Sequence, residues 1–520
     1  MSRFARSNRV FALCLLSAAA FGSAGCRVTE KDIHRWEQTE QGPDKLVAVL
    51  THDKYDWPLR VDAAAGLIRM KPRTGRRIGI GKMTEAAAML PPDDRKKLVG
   101  GLIPILTAEM AKPPTSQQGL APGENRITDT SIPYKDGAFA LLTYDKAELV
   151  SDPEHRKLLR DALGSWAIAD FDKRVAISAQ LYGLEQVFRH LGAEGVRKLP
   201  GLISADSTYD RMAGLIAELG DAQTKEAGST ALVKLAQSVE SPKWIEQKRA
   251  AVIESNKAGG YNPPEAALMR QLSDFQEEQV IKVYASMKRV GGRPSTEYLL
   301  GVANAKDKPE KRRQGALAAL EGRLDRTNPQ DIARIVSVAA AEDTPDAVRE
   351  LAFVRTSELP REQVVPKLYE LFGSKRWKIR WVAGSTILKT SSAKDVPEFL
   401  SKLPPNAAGM SVNEPLTYGG LIGQMKPAPS KEQMAAELKS SQLANKLVGL
   451  GYFYQYGRVA DVPTVQAHEG EKTPVPKIDD PEGKWQCNTP KAGGGAELKE
   501  VATVGEFVKV CVIPAMSERK

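Results

Sequence analysis

The stretch Trp57-Pro58-Leu59-Arg60-Val61-Asp62-Ala63-Ala64-Ala65-Gly66-Leu67-Ile68 decides the fold class. Its apolar positions Trp57, Val61, Ala64, Leu67 and Ile68 recur in steps of three and four, which places them on one face of a helix. The same face returns 320 residues later as Trp377, Trp381, Gly384, Ile387 and Leu388. In both stretches an Arg follows the first Trp by three (Arg60, Arg380) and an Ala follows it by six (Ala63, Ala383). Arg313/Ala316 and Arg349/Ala352 repeat the Arg-x-x-Ala step. Arg313 to Arg349 is 36 residues and Arg349 to Arg380 is 31, close to the period of helical-repeat arrays.

This pattern resembles the HEAT family, whose second helix commonly carries an Arg near its start and small residues on its packed face. The resemblance runs from about Asp44 to Pro404. It implies a mostly α fold, an α-solenoid of HEAT-like helical hairpins, with a non-repetitive helical bundle as the alternative. Small residues suit the packed face because they let neighbouring helices approach closely. Brief Pro, Gly, Asp and Ser breaks separate the helical stretches. Residues 112–133, rich in Pro, Gly, Ser and Gln, read as a loop insertion.

A chain of 520 residues exceeds what one core supports, so an array or several domains is expected. Apolar content of 42% and charged content of 27% exclude a disordered polymer, and only 6% aromatic content disfavours a sandwich or barrel. The net charge of +10 fits solubility, or anionic lipid, cell-wall polymer or an acidic protein as partner. Nucleic acid is excluded for an exported chain, and export is what the N-terminus suggests.

Arg3, Arg6 and Arg9 precede the apolar run Val10 to Phe21, which is shorter than the roughly 20 residues that span a bilayer. Gly22-Ser23-Ala24-Gly25 follows, and then Cys26. The ending Ala24-Gly25-Cys26 resembles the lipobox of bacterial lipoproteins, although Ser23 stands where that family usually has Leu. The resemblance implies removal of residues 1–25, acylation of Cys26, a tether over 26–43 and anchoring in the bacterial cell envelope. Arg27, in place of the Asp linked with inner-membrane retention, favours the outer membrane. Cleavage by ordinary signal peptidase after Ala24 is the alternative.

The four cysteines are Cys14, Cys26, Cys487 and Cys511. Cys14 leaves with the signal and Cys26 takes lipid, so Cys487 and Cys511 are expected to pair in an oxidising compartment. Two reduced, buried thiols are the alternative. Residues 405–462 read as a Pro-rich break followed by a helical cap, with Tyr452, Phe453, Tyr454 and Tyr456 packing on the array's end. Residues 463–483 read as a linker. Residues 484–520 read as a small disulfide-closed β segment: Trp485-Gln486-Cys487 and Glu506 to Val512 form two strands joined through Gly493-Gly494-Gly495.

Templates for chemistry fail. No two of His34, His52, His155, His190 and His468 share one helical turn, so no metal and no cofactor is expected. Ser391-Ser392-Ala393-Lys394 matches Ser-x-x-Lys in form but reads as a turn between helices. The charge cluster Arg69, Lys71, Arg73, Arg76, Arg77 and Lys82 contains no acid and is a candidate anion-binding loop, with a solvated inter-helix loop as the plainer reading. Trp377 and Trp381, one turn apart, read as core. The expected function is a membrane-anchored, non-enzymatic scaffold or adaptor that binds envelope proteins. An envelope-polymer or anionic-lipid module using loop 69–82 is the second reading, and a HEAT-like lyase or enzyme subunit a remote third.

Overall fold

Helix starts are written in local chemistry throughout the chain. Asp56 sits in extended backbone and accepts a hydrogen bond from Leu59 N at 3.2 Å, with Pro58 in the first turn, where its missing N–H costs nothing. Asn328 before Pro329 and Asp152 before Pro153 repeat the device. The computed structural model describes residues 28–519 apart from 73–76, 117–126, 178–180, 479–483 and 491–494. Two compact units divide between Gly228 and Ser229. The expected signal peptide, residues 1–25, and Cys26 lie outside the described residues.

In the first unit α1 (Glu30–Trp36) leads into α2 (Gly42–Thr51), α3 (Trp57–Arg69), α4 (Ile78–Met89) and α5 (Pro92–Met110). Next, β1 (Thr115–Ser116) pairs antiparallel with β2 (Ile127–Thr128). Then follow α6 (Ile132–Thr143), α7 (Pro153–Ile168), α8 (Phe171–Val175), α9 (Leu184–Leu191), α10 (Ala193–Val196) and α11 (Tyr209–Leu219). Consecutive helices from α2 to α7 pack on each other and on the helix after next. The expected tether is corrected here. Ile33 of α1 is fully buried, and Glu37 accepts hydrogen bonds from Arg69, so residues 30–43 belong to the array. The insertion 112–133 is pinned at its base by β1–β2 and by buried Asp129 and Ser131.

The chain passes through α12 (Ala222–Val239) to α13 (Pro242–Ala258), α14 (Glu265–Val290), α15 (Arg293–Asn304), α16 (Glu310–Ala319), α17 (Pro329–Ala340) and α18 (Asp346–Thr356). After these come α19 (Arg361–Phe372), α20 (Trp377–Lys389), α21 (Val396–Ser401), α22 (Asn413–Gln424), α23 (Lys431–Leu438), α24 (Leu443–Tyr456) and α25 (Val462–Gln466). In this second unit α14, α16, α18, α20, α22 and α24 pack in succession as one layer, and α15, α17 and α19 as another. Adjacent helices close the hairpins α15/α16, α17/α18 and α19/α20. A two-layer stack whose members touch only near neighbours is an α-solenoid.

The structure explains the Arg-x-x-Ala step. Arg60 Nε donates to Leu50 O at 2.8 Å, Arg313 Nε to Ala303 O at 3.0 Å, and Arg349 NH1 to Ala339 O at 2.7 Å, each ten residues back. Those carbonyls belong to the last turn of the preceding helix, which has no intrahelical donors left and carries the negative end of the helix dipole. Arg380 reaches Ser374 O at 2.8 Å just beyond α19. The Ala three residues on (Ala63, Ala316, Ala352, Ala383) is fully buried at each helix contact. Arg95 bonds Ala87 O, Ala88 O and Leu90 O without the following Ala, a copy the motif conceals.

Residues 405–462 contain a close backbone-to-backbone helix contact. A Cβ placed on Gly419 of α22 would overlap the Tyr452 backbone N, and one on Gly451 of α24 would overlap the Pro415 carbonyl. Tyr452 and Phe453 are buried there, while Tyr454 and Tyr456 are half-buried.

The C-terminal segment differs from expectation in two ways. Strand β3 (Gln486–Pro490) pairs antiparallel with β4 (Ala496–Glu500), and Glu506 to Val512 is not a strand. Instead α26 (Val504–Glu506), a wide helical turn Phe507–Val512 and α27 (Ile513–Ser517) run on without a break. Phe507, Val508, Cys511 and Val512 are all buried, a spacing that suits one helical face and not an alternating strand. Thr503 and Glu506 form a capping box: Thr503 Oγ1 accepts from Glu506 N at 3.2 Å, and Glu506 accepts from Thr503 N at 3.3 Å. The expected linker is also docked along residues 471–475. Val475 N donates to Ala502 O at 3.0 Å, Val504 N to Thr473 O at 2.9 Å and Gly505 N to Glu471 O at 3.0 Å. Cys487 and Cys511 are joined in a disulfide with Cα atoms 5.8 Å apart, tying β3 to the helical turn.

Candidate functional site: a cationic cleft beside Trp377

The site begins with the end of α19. The chain turns through Gly373 and Ser374, and the Ser374 hydroxyl accepts from Arg376 N at 3.2 Å. This starts α20 with Trp377 and Ile379 turned inward and Lys375 and Arg376 exposed. Trp377 packs 6.0 Å from Trp381, whose Nε1 donates to Thr417 Oγ1 at 2.9 Å.

One wall is held by a buried ion pair. Arg380 Nε and NH2 donate to the two carboxylate oxygens of Glu414 at 2.6 and 3.0 Å, and NH2 also reaches Gly409 O at 2.7 Å. Tyr418 OH donates to Arg380 O at 2.9 Å, and Ser411 N to Glu414 at 2.8 Å. Burial pushes the Glu414 carboxyl above its usual range, and the Arg380 guanidinium opposes that rise. The pair therefore fixes the loop 405–412 against α20. Trp485 Nε1 fastens the same loop from the other side through Met410 O at 3.1 Å.

The second wall is the docked segment ending in Lys477 and Ile478. Between the walls lies a cleft of about 480 Å³, lined by Asp346, Lys375, Arg376, Trp377, Lys378, Ile379, Gly409, Lys477 and Ile478. Among the described residues that line it, four are cations and one is an acid. Lys378 is 3.4 Å from Asp346, and Arg376 NH1 donates to Glu342 O at 2.8 Å. Among the described residues no acid lies within ion-pair distance of Lys375, Arg376 or Lys477. An apolar floor under a cationic rim can hold carboxylates together with an apolar side chain.

The residues singled out from sequence do not gather into one site. Arg69 is bound to Glu37 at 2.6 Å and to Asp62 at 3.0 Å, Arg77 lies 3.2 Å from fully buried Asp136, and Lys82 pairs with Asp44. Lys71 is exposed, and Arg73 and Arg76 lie outside the described residues. Three of the loop's cations thus serve acids of the fold. The Ser391–Lys394 stretch is a turn: Ser391 Oγ donates to Ile387 O at 2.7 Å, and Ser392 and Asp395 cap each other. Glu30, His34 and Asp62 bring ligand atoms within 4.8 Å of one another. Arg69, 3.0 Å from Asp62 and 3.5 Å from His34, already supplies positive charge at that spot.

Two buried polar networks had no signal in the sequence, because their members come from distant helices. In the first unit Lys135 is 2.6 Å from Asp136, which also accepts from Leu181 N and Tyr182 N, and Arg174 Nε donates to Asp129 at 3.1 Å. Burial pushes the Lys135 ammonium below its ordinary value, against the pull of Asp136. In the second unit Glu240 accepts from Tyr284 at 2.8 Å, Tyr298 at 2.5 Å and Lys308 at 2.7 Å. The first network is interior and the second half-buried, and in both the charges are paired by hydrogen bonds, which is what holds charge out of water in a fold.

No protein-family profile matches the chain, and no curated protein matches it by sequence. Among solved structures it is similar to the karyopherin Kap121p, at 14% identity and a TM-score of 0.30, over 89% of this chain and 46% of that one. It is similar also to the structure of the Pds5-Scc1 complex, at 12% identity and a TM-score of 0.30, over 85% of this chain and 74% of that one. The chain spans about half the length of Kap121p.

Proposed function

We propose that this protein is a non-enzymatic binding scaffold or adaptor of the bacterial cell envelope, held at a membrane by lipid on Cys26. The observation that carries the binding role is the cleft beside Trp377: rigidly walled, open, and bearing charge that no described acid neutralises. Solenoids suit such work because their outward residues vary without disturbing the stack. The anchor rests on the lipobox-like Ala24-Gly25-Cys26, and Arg27 favours the outer membrane. No described helix is long and apolar enough to cross a membrane. A polymer- or lipid-binding role for loop 69–82 has less support, since Arg69, Arg77 and Lys82 are engaged by acids.

Crosslinking in intact cells followed by pull-down tests the binding role, with specific envelope proteins expected; recovery of none rejects it. Replacing Cys26 with Ser tests the anchor. The variant should leave the membrane fraction and lack acyl mass, and unchanged fractionation and mass reject lipidation.

A further inference from the structure

We infer that the cleft beside Trp377 docks an acidic segment of a partner protein, one that sets an apolar side chain among its carboxylates. The inference rests on the scaffold reading and names the class of partner that reading leaves open.

Charge is the first ground. Lys375 and Arg376 come from the turn before α20, and Lys477 from a segment far along the chain that is docked by backbone pairing. Two independent parts of the fold therefore bring exposed cations to one opening. Like charges at a shared opening repel, and an anionic occupant relieves that repulsion. Asp346, the acid at the rim, is already engaged by Lys378.

The floor is the second ground. Trp377 and Ile379 are more than nine-tenths buried and Ile478 is half-buried, so the base of the cleft is apolar. A polyanionic sugar would answer the rim and leave that base wet. A peptide with Leu or Phe beside Glu or Asp answers both. The volume falls in the range that takes a large side chain with its flanking backbone.

Rigidity is the third. Arg380 holds the Gly409 carbonyl and Trp485 the Met410 carbonyl, so the wall stands before anything binds. Pre-formed walls reduce the ordering cost of docking.

The test uses the full chain and fluorescence anisotropy with a short labelled peptide alternating Glu and Leu, its Gln-for-Glu analogue, and dextran sulfate. The acidic peptide should bind, with affinity falling as salt rises, and the Gln analogue should not. The double variant Lys375→Glu/Lys477→Glu should bind about tenfold more weakly or worse, and Lys375→Arg/Lys477→Arg should retain binding. Both lysines are exposed, so unchanged circular dichroism and melting temperature are expected. Equal affinity of the double Glu variant, binding of neither peptide, or binding of dextran sulfate alone overturns the assignment. Recovery of envelope proteins by the wild-type chain is read separately: it can stand while the cleft assignment fails, or fail while the peptide still binds.

Discussion

Arg349 NH1 donates to the carbonyl of Ala339 at 2.7 Å, and its NH2 reaches Thr344 O at 2.9 Å and Glu342 O at 3.3 Å. One buried side chain thus closes the end of α17 and spans the turn into α18. Replacing Arg349 with Met leaves three carbonyls without that donor in a site nearly closed to water. A loss of about 2–4 kcal/mol is expected, read as a lower urea midpoint. Arg349→Lys should fall between, because one ammonium cannot span all three acceptors. A midpoint unchanged in Arg349→Met would show that the bonds are replaced by water without cost.

Gly419 and Gly451 make a sharper case. Ala at either position drives a methyl into the backbone of the facing helix, so α22 and α24 must separate. A cost of about 3 kcal/mol is expected, at the upper end for overpacking. Gly420, where a Cβ would meet only the Gln455 side chain at 3.5 Å, is the control and should tolerate Ala with little change. Thermal melts of the three variants decide the point, and equal melting would contradict the close crossing.

Glu240 sets a pH dependence. Burial alone would raise its carboxyl pKa, but hydrogen bonds from Lys308, Tyr298 and Tyr284 outweigh burial and hold it below the usual range. A depressed folded pKa means the stability gained is fully present above the unfolded value, about 4.3, and is lost as pH falls through the folded value. Glu240→Gln should therefore be less stable than wild type near neutrality and should lose less on acidification below about pH 4. Parallel acid limbs for the two proteins would rule this out.

Reduction of the Cys487–Cys511 bond should loosen the C-terminal module first. The loop-entropy estimate for a ring of this size is on the order of 3 kcal/mol, a large share for a unit with so small a core. Peptide mapping without reductant should recover both cysteines in one linked species. Hydrogen exchange should then show faster exchange over residues 485–517 in the Cys487→Ser/Cys511→Ser variant, with α14 to α18 unaffected. Free thiols at both positions in protein isolated without reductant would contradict the pairing.

The hairpins were legible because Arg-x-x-Ala encodes a local contact: the Arg and its acceptor are ten residues apart, within one hairpin. Arg95 shows the limit, since the same carbonyl contacts occur without the Ala. The run Phe507 to Val512 misled because a short apolar stretch reads alike as strand or buried helix, and the Thr503–Glu506 capping signal was the available discriminator. The docked residues 471–475 were hidden by their Pro and Glu content, which resembles that of a linker; their partners are backbone groups some thirty residues on. Loop 69–82 shows that the density of cations in sequence is a poor guide to free charge, because neighbouring helices decide which are neutralised. The cleft cations Lys375, Arg376 and Lys477 fall in two separate segments, and no local pattern joins them.

Trp485 clasping Met410 has a temporal meaning. The ribosome emits Lys375 and Arg376, α20 and the Gly409 wall well before the strand that carries Trp485. During synthesis the solenoid layers can stack as each hairpin emerges, yet Lys477 and Ile478 have no seat until residues 501–505 arrive to pair with 471–475. A nascent or truncated chain therefore displays half a cleft. The whole site exists only after the pairing of residues 471–475 with 502–505, late in synthesis.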